Sequence, residues 1–94
     1  NELDEECAEE ISKMQSLTEI DISNCHISNI SAQIISFMTE VTSLYIKNNH
    51  ISDCGAIEIS NMESLTFLDI SVNQIGNEGF IALSEMKKLI SLRI

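Results

Sequence analysis

The sequence predicts an α/β solenoid wound with a right hand, short parallel strands lining its concave face and helices covering its convex face. Three observations lead there. The chain repeats itself every 24 residues almost throughout. Within each repeat a short stretch alternates apolar and polar residues, the period of a half-buried strand. The remainder places apolar residues three apart, on one face of a helix. The clearest copy is Leu65-Thr66-Phe67-Leu68-Asp69-Ile70-Ser71-Val72-Asn73-Gln74-Ile75, which reads L-x-x-L-x-L-x-x-N-x-L with Ile allowed for Leu.

Sliding the sequence by 24 places brings Leu17, Val41, Leu65 and Leu89 into register, then Ile20, Leu44, Leu68 and Leu92, then Ile22, Ile46, Ile70 and Ile94. The turn position holds Asn1, Cys25, Asn49 and Asn73, and the next inward position Leu3, Ile27, Ile51 and Ile75. All four methionines (Met14, Met38, Met62, Met86) share one phase, and Ser12, Ser36, Ser60 and Ser84 share another. Strands are expected near 19–23, 43–47, 67–71 and 91–94. Helices are expected near 4–14, 30–38, 54–62 and 77–87, where Ala8, Ile11 and Met14 and their counterparts up to Phe80, Leu83 and Met86 align. Lys87 and Lys88 then close the last helix, where positive charge suits the dipole. A strand, turn, helix and return set each strand parallel beside the last, through a right-handed crossover. One unit cannot bury its own apolar stripe, but stacked units can. Because helices need more width than strands, the stack curves with its strands inside.

With those residues in view, the chain resembles the leucine-rich repeat family. Its consensus L-x-x-L-x-L-x-x-[NC]-x-L is met at 17–27, 41–51 and 65–75, a fourth copy stops within 89–94, and Asn1 and Leu3 match the tail of an earlier one. The G-x-x-G-x-x-x-L connector at 76–83 is similar to the ribonuclease-inhibitor-like subclass, whose unit is usually longer than 24 residues. The expected organisation is a single leucine-rich repeat domain over 1–94, about four units with both terminal ones incomplete, excised from a longer protein. Ends without caps are expected to expose a strand edge and apolar side chains at 89–94, implying further repeats or self-association.

Individual positions carry further expectations. Asn49 and Asn73 turn their amides inward to satisfy backbone groups of the bend, which would otherwise be buried without partners. Cys25, a weaker donor, makes a looser turn. The methionines fill core gaps, the aligned serines let adjacent helices approach, and Phe37 packs against a neighbouring unit.

Composition narrows the function. Fifteen acids against five bases give a net charge of −10, which opposes nucleic acid. No apolar run approaches the ~18 residues of a membrane span. The early acids Glu2, Asp4, Glu5, Glu6, Glu9 and Glu10 read as a solvated helix start, with an acidic binding tail as the alternative. Three cysteines, Cys7, Cys25 and Cys54, without C-x-x-C spacing favour a reducing, cytoplasmic compartment over a disulfide framework. No Gly-rich phosphate loop, metal-spaced His and Cys set or nucleophile with an assignable base is present, so neither an enzyme nor a cofactor is expected. His26 and His50 share a phase and come within about 5 Å in stacked units. A third ligand is not evident, so the pair reads as solvated rather than as a metal site.

The outward strand positions are the ones that the repeat leaves free. The resemblance implies that a protein or peptide partner binds there. The candidates are Glu19, Asp21, Tyr45, Lys47, Phe67, Asp69 and Arg93. Tyr45 and Phe67 serve as apolar anchors and the charged residues set orientation; the alternative is that the two rings only fill cross-strand space. The expected function is a protein–protein interaction module without catalysis. Its alternatives are a substrate-recognition arm of a larger multidomain enzyme, such as a bacterial effector ligase or hydrolase, and a structural spacer.

Overall fold

The computed structural model describes residues 10, 11, 13 and 16–94. In chain order its elements are β1 (Glu19–Asp21), α1 (Asn29–Ser36), β2 (Ser43–Tyr45), α2 (Asp53–Ile59), β3 (Phe67–Asp69), α3 (Asn77–Ser84) and β4 (Ser91–Arg93). The strands form one parallel sheet in sequence order. Ile20 pairs with Leu44, Leu44 with Leu68 and Leu68 with Leu92, so the 24-residue interval of the sequence becomes the register of the sheet.

The core lies between sheet and helices. Leu44, Ile46, Ile51, Leu65 and Ile70 come from the strand side, Ala32, Ile35, Ala56, Ile59 and Leu83 from the helices, and all are almost fully buried. Each buried Leu or Ile among them contributes on the order of 1.5–3 kcal/mol. Met38 and Met62 are buried as expected, yet they lie beyond the helices rather than on them. The helices stop earlier than the apolar spacing suggests because the chain must turn back within a 24-residue unit. Tight turns end them: Phe37 N–H donates to Ile34 O at 3.3 Å, Met38 N–H to Ile35 O at 2.9 Å and Met62 N–H to Ile59 O at 3.0 Å. Lys87 and Lys88 consequently follow α3 instead of occupying its last turn, which holds no basic residue.

One further expectation needs correction, and the aligned serines show a role that their spacing did not reveal. Their hydroxyls donate to carbonyls three residues back, Ser36 to Gln33 O at 2.6 Å, Ser60 to Ile57 O at 2.5 Å and Ser84 to Ile81 O at 2.7 Å, and so occupy acceptors that a helix end leaves open. Phe37 is 75% exposed and is not packed into the adjacent unit. The expected helix near 4–14, with Ser12, Met14 and Cys7, falls outside the described residues except for Glu10 and Ile11, which are helical, and Lys13, which is in a turn.

The strands are three residues long, shorter than expected, and Asn24 (φ 61°), Asn48 (φ 57°) and Val72 (φ 56°) turn left-handed just past the expected strand ends. Cross-strand bonds still continue past the strands, as in Ile22 N–H to Tyr45 O and Asn48 N–H to Ser71 O, both 2.9 Å. The bend is held as the sequence implies. Asn49 Oδ1 accepts from Cys25 N (3.0 Å) and Ile27 N (2.8 Å), while Nδ2 donates to Ile22 O (3.2 Å), Ile46 O (2.9 Å) and Lys47 O (3.3 Å). Asn73 repeats this one unit on, with Ile51 N, Ile46 O, Ile70 O and Ser71 O. Each ladder amide thus serves its own turn and the preceding one. Cys25 Sγ reaches Ser23 O at 3.3 Å, and the residue after it, His26, is left-handed (φ 60°), a conformation that His50 and Gln74 do not share.

The helix starts are coupled in the same way. Ser52 and Gly76, which precede α2 and α3, make no side-chain cap bond. The cap comes from the first residue of the preceding helix. Asn29 Oδ1 accepts from Ser52 N (3.0 Å) and Gly55 N (2.9 Å), and Asp53 Oδ1 from Gly76 N (2.6 Å) and Gly79 N (3.0 Å). This closeness explains the glycines, since a Cβ at Gly55 would sit 2.5 Å from Asn29 Oδ1 and one at Gly79 2.8 Å from Asp53 Oδ1.

Candidate partner-binding face

Strand alternation sends Ile20, Leu44 and Leu68 into the core and their neighbours to the opposite face of the sheet. Two rows run across that face. One holds Glu19, Ser43, Phe67 and Ser91, the other Asp21, Tyr45, Asp69 and Arg93. Lys47 lies beyond β2, toward the turns.

Of the seven residues predicted to bind a partner, Tyr45, Phe67, Asp69 and Arg93 come together. With Leu68 and Ser91 they line a hollow of about 100 Å³, room for a single side chain. Phe67 is 42% exposed and Tyr45 half-buried. Glu19 and Asp21 are exposed on β1, at the far edge of the face, and Lys47 is exposed outside the hollow. Asp69 departs from expectation because it is buried, its Oδ1 accepting from Ser71 N (3.2 Å) and Ser71 Oγ (2.6 Å). Asp21 Oδ1 makes a similar bond to Ser23 N at 3.1 Å but stays open to solvent. Among the described residues the ion pair formed is Lys13 with Glu10 at 3.4 Å, so Arg93 and Lys47 are not neutralised by a neighbouring carboxylate.

His26 and His50 approach more closely than stacking of units alone requires, Nδ1 to Nε2 at 3.1 Å. Their centroids are 5.3 Å apart, further than the nitrogens by about a ring's width, so the imidazoles meet edge to edge and share one hydrogen. No group of three or more metal-ligating side chains converges among the described residues, and none of their helices is long and apolar enough to cross a membrane.

Two other surfaces escaped the sequence reading. Ile57 and Ile81, one repeat apart, are 40% and 55% exposed on the convex side. A hollow of about 320 Å³ lies at the return turns, between Met62 and Met86, rimmed by Glu63, Glu85, Lys87 and Lys88. It is larger than the concave one, but no aromatic side chain lines it. The methionine phase pointed to that region, though only as core.

A family model described as Leucine rich repeat matches residues 15–75. No curated protein matches the chain. Among solved structures, one titled Leiomodin-1 Actin-Binding Site 2 (ABS2) superposes with a TM-score of 0.74 at 20% identity, covering 95% of this chain. The chain spans 62% of that structure's length.

Proposed function

The chain belongs to the leucine-rich repeat family, and from that premise we propose that it is a non-catalytic binding module that grips a protein or peptide on the concave face of its sheet. Leucine-rich repeat domains generally mediate protein–protein interaction. The observation that carries the reading is the hollow between Tyr45, Phe67 and Arg93, where an apolar floor adjoins a guanidinium that forms no ion pair among the described residues. Side chains of this kind dominate interfaces because a large ring is desolvated at small entropic cost and a guanidinium gives directional bonds. Asp69 acts indirectly, fixing Ser71 at the edge of the face. At 20% identity the leiomodin-1 likeness reaches the fold alone, so the actin named in that title does not transfer to this chain.

The test is a pair of double variants measured against a bound peptide or protein. Tyr45→Ala with Phe67→Ala removes both anchors and should weaken binding by about 30-fold or more, the scale of ~2 kcal/mol for interface hot spots. Ile57→Ser with Ile81→Ser, on the convex side, should leave affinity within about twofold. The reverse pattern would refute the concave reading.

A further inference from the structure

Resting on the concave-face reading above, we propose that the bound partner is an extended segment laid across the strands, with a basic residue over β1, a large apolar residue over β3 and an acidic residue over β4. The order follows from what each strand offers. On β1, Glu19 and Asp21 are both exposed and adjacent on the same face. On β2 and β3, Tyr45 and Phe67 frame the hollow, which admits one side chain. On β4, Arg93 is exposed and unneutralised among the described residues. Asp69 pairs with Arg93 in the register, yet it is buried and one of its oxygens is committed to Ser71, so it leaves the guanidinium to solvent. Lys47 stands toward the turns and outside the hollow, and so does not interrupt the sequence of charges.

Spacing follows from strand geometry. Neighbouring strands lie about 4.8 Å apart and an extended chain advances about 3.3 Å per residue. An extended chain turns alternate side chains to one face, so the three that meet the sheet stand two residues apart. The outer two are about 13 Å apart, close to the about 14 Å from β1 to β4, and the reach of the long basic side chain lets the middle one enter the hollow. The partner pattern is Lys or Arg, one residue of any kind, a large apolar residue, one residue of any kind, then Asp or Glu. It reads in either chain direction, because the side chains rather than backbone pairing set the order. The net charge of −10 disfavours an acidic partner overall. The acidic end is thus tied to Arg93 locally, while the basic end gains from the field of the whole chain.

The full 94-residue chain is used to select binders from a phage-displayed library of random 12-residue peptides. The same selection is repeated on Arg93→Glu and on Glu19→Lys with Asp21→Lys, each checked by circular dichroism for wild-type folding. The proposal expects the pattern to be enriched on the wild type. Arg93→Glu should replace the enriched acid by a base and weaken wild-type peptides at least tenfold. The β1 variant should replace the enriched base by an acid. Peptides that lose binding on Tyr45→Ala with Phe67→Ala but show no charge order would overturn this inference and leave the concave reading standing. Peptides indifferent to Tyr45 and Phe67, or no binders above background, would overturn both.

Discussion

Replacing Asn49 by alanine should cost more stability than its size suggests. The side chain is 4% exposed and makes five hydrogen bonds. Alanine leaves Ile27 N and Ile22 O without that partner, whereas Ile46 O keeps the bond from Asn73 Nδ2. A buried backbone group left unsatisfied costs about 1–3 kcal/mol. Two such groups at about 1.5 kcal/mol each put the loss at about 3 kcal/mol. A chain of this size has roughly 5–14 kcal/mol in all, so Asn49→Ala removes a large part of it. With a urea m-value of about 1 kcal/mol/M, the midpoint falls by about 3 M. Asn73→Ala is the milder control, since Asn73 is only half-buried. Urea titration followed at 222 nm gives both numbers. Asn49→Asp separates the roles, because it keeps the acceptor but sets a carboxylate against three carbonyls, and it should be no better than alanine. A loss under 1 kcal/mol for Asn49→Ala, or a larger loss for Asn73→Ala, would refute the idea that these amides hold the stack together.

Other predictions concern neighbouring devices. Val72 is β-branched, 61% exposed and left-handed, in the phase where Asn24 and Asn48 stand and bond to each other. Val72→Asn should therefore stabilise by about 1 kcal/mol in the same titration. Asp53→Ala removes the acceptor that caps α3 and should cost about 1–2 kcal/mol. Asp53→Asn should cost less than half as much, since Asn29 performs this task one unit earlier. Gly79→Ala forces a Cβ to 2.8 Å from Asp53 Oδ1 and 2.9 Å from Ile75 Cγ2, and thermal melts should show a loss of about 1–3 kcal/mol.

The stack was legible in the sequence because repetition multiplies a weak signal. One L-x-L stretch predicts little, whereas Ile20, Leu44, Leu68 and Leu92 at a constant interval predict the register that the sheet adopts. The ladder role of Asn49 and Asn73 was legible for the same reason. Element ends were not, since apolar spacing continues through Met38 and Met62, which stay buried after the helix has closed. Nor were the caps from Asn29 and Asp53 visible, because they join residues 23 and 26 apart whose proximity exists only once the units are stacked. The G-x-x-G at 76–79 was their trace. At the candidate site the sequence placed Tyr45, Phe67 and Arg93 on one face. It missed the burial of Asp69, which depends on the neighbouring Ser71 rather than on strand alternation.

The most direct measurement of the binding claim is a chemical-shift titration of the ¹⁵N-labelled chain with a selected peptide. The account predicts that the largest perturbations fall on Tyr45, Phe67, Ser91 and Arg93, with Ile57 and Ile81 unmoved. Perturbations centred on Ile57 and Ile81, or on the hollow between Met62 and Met86, with the strand residues unchanged, would contradict it.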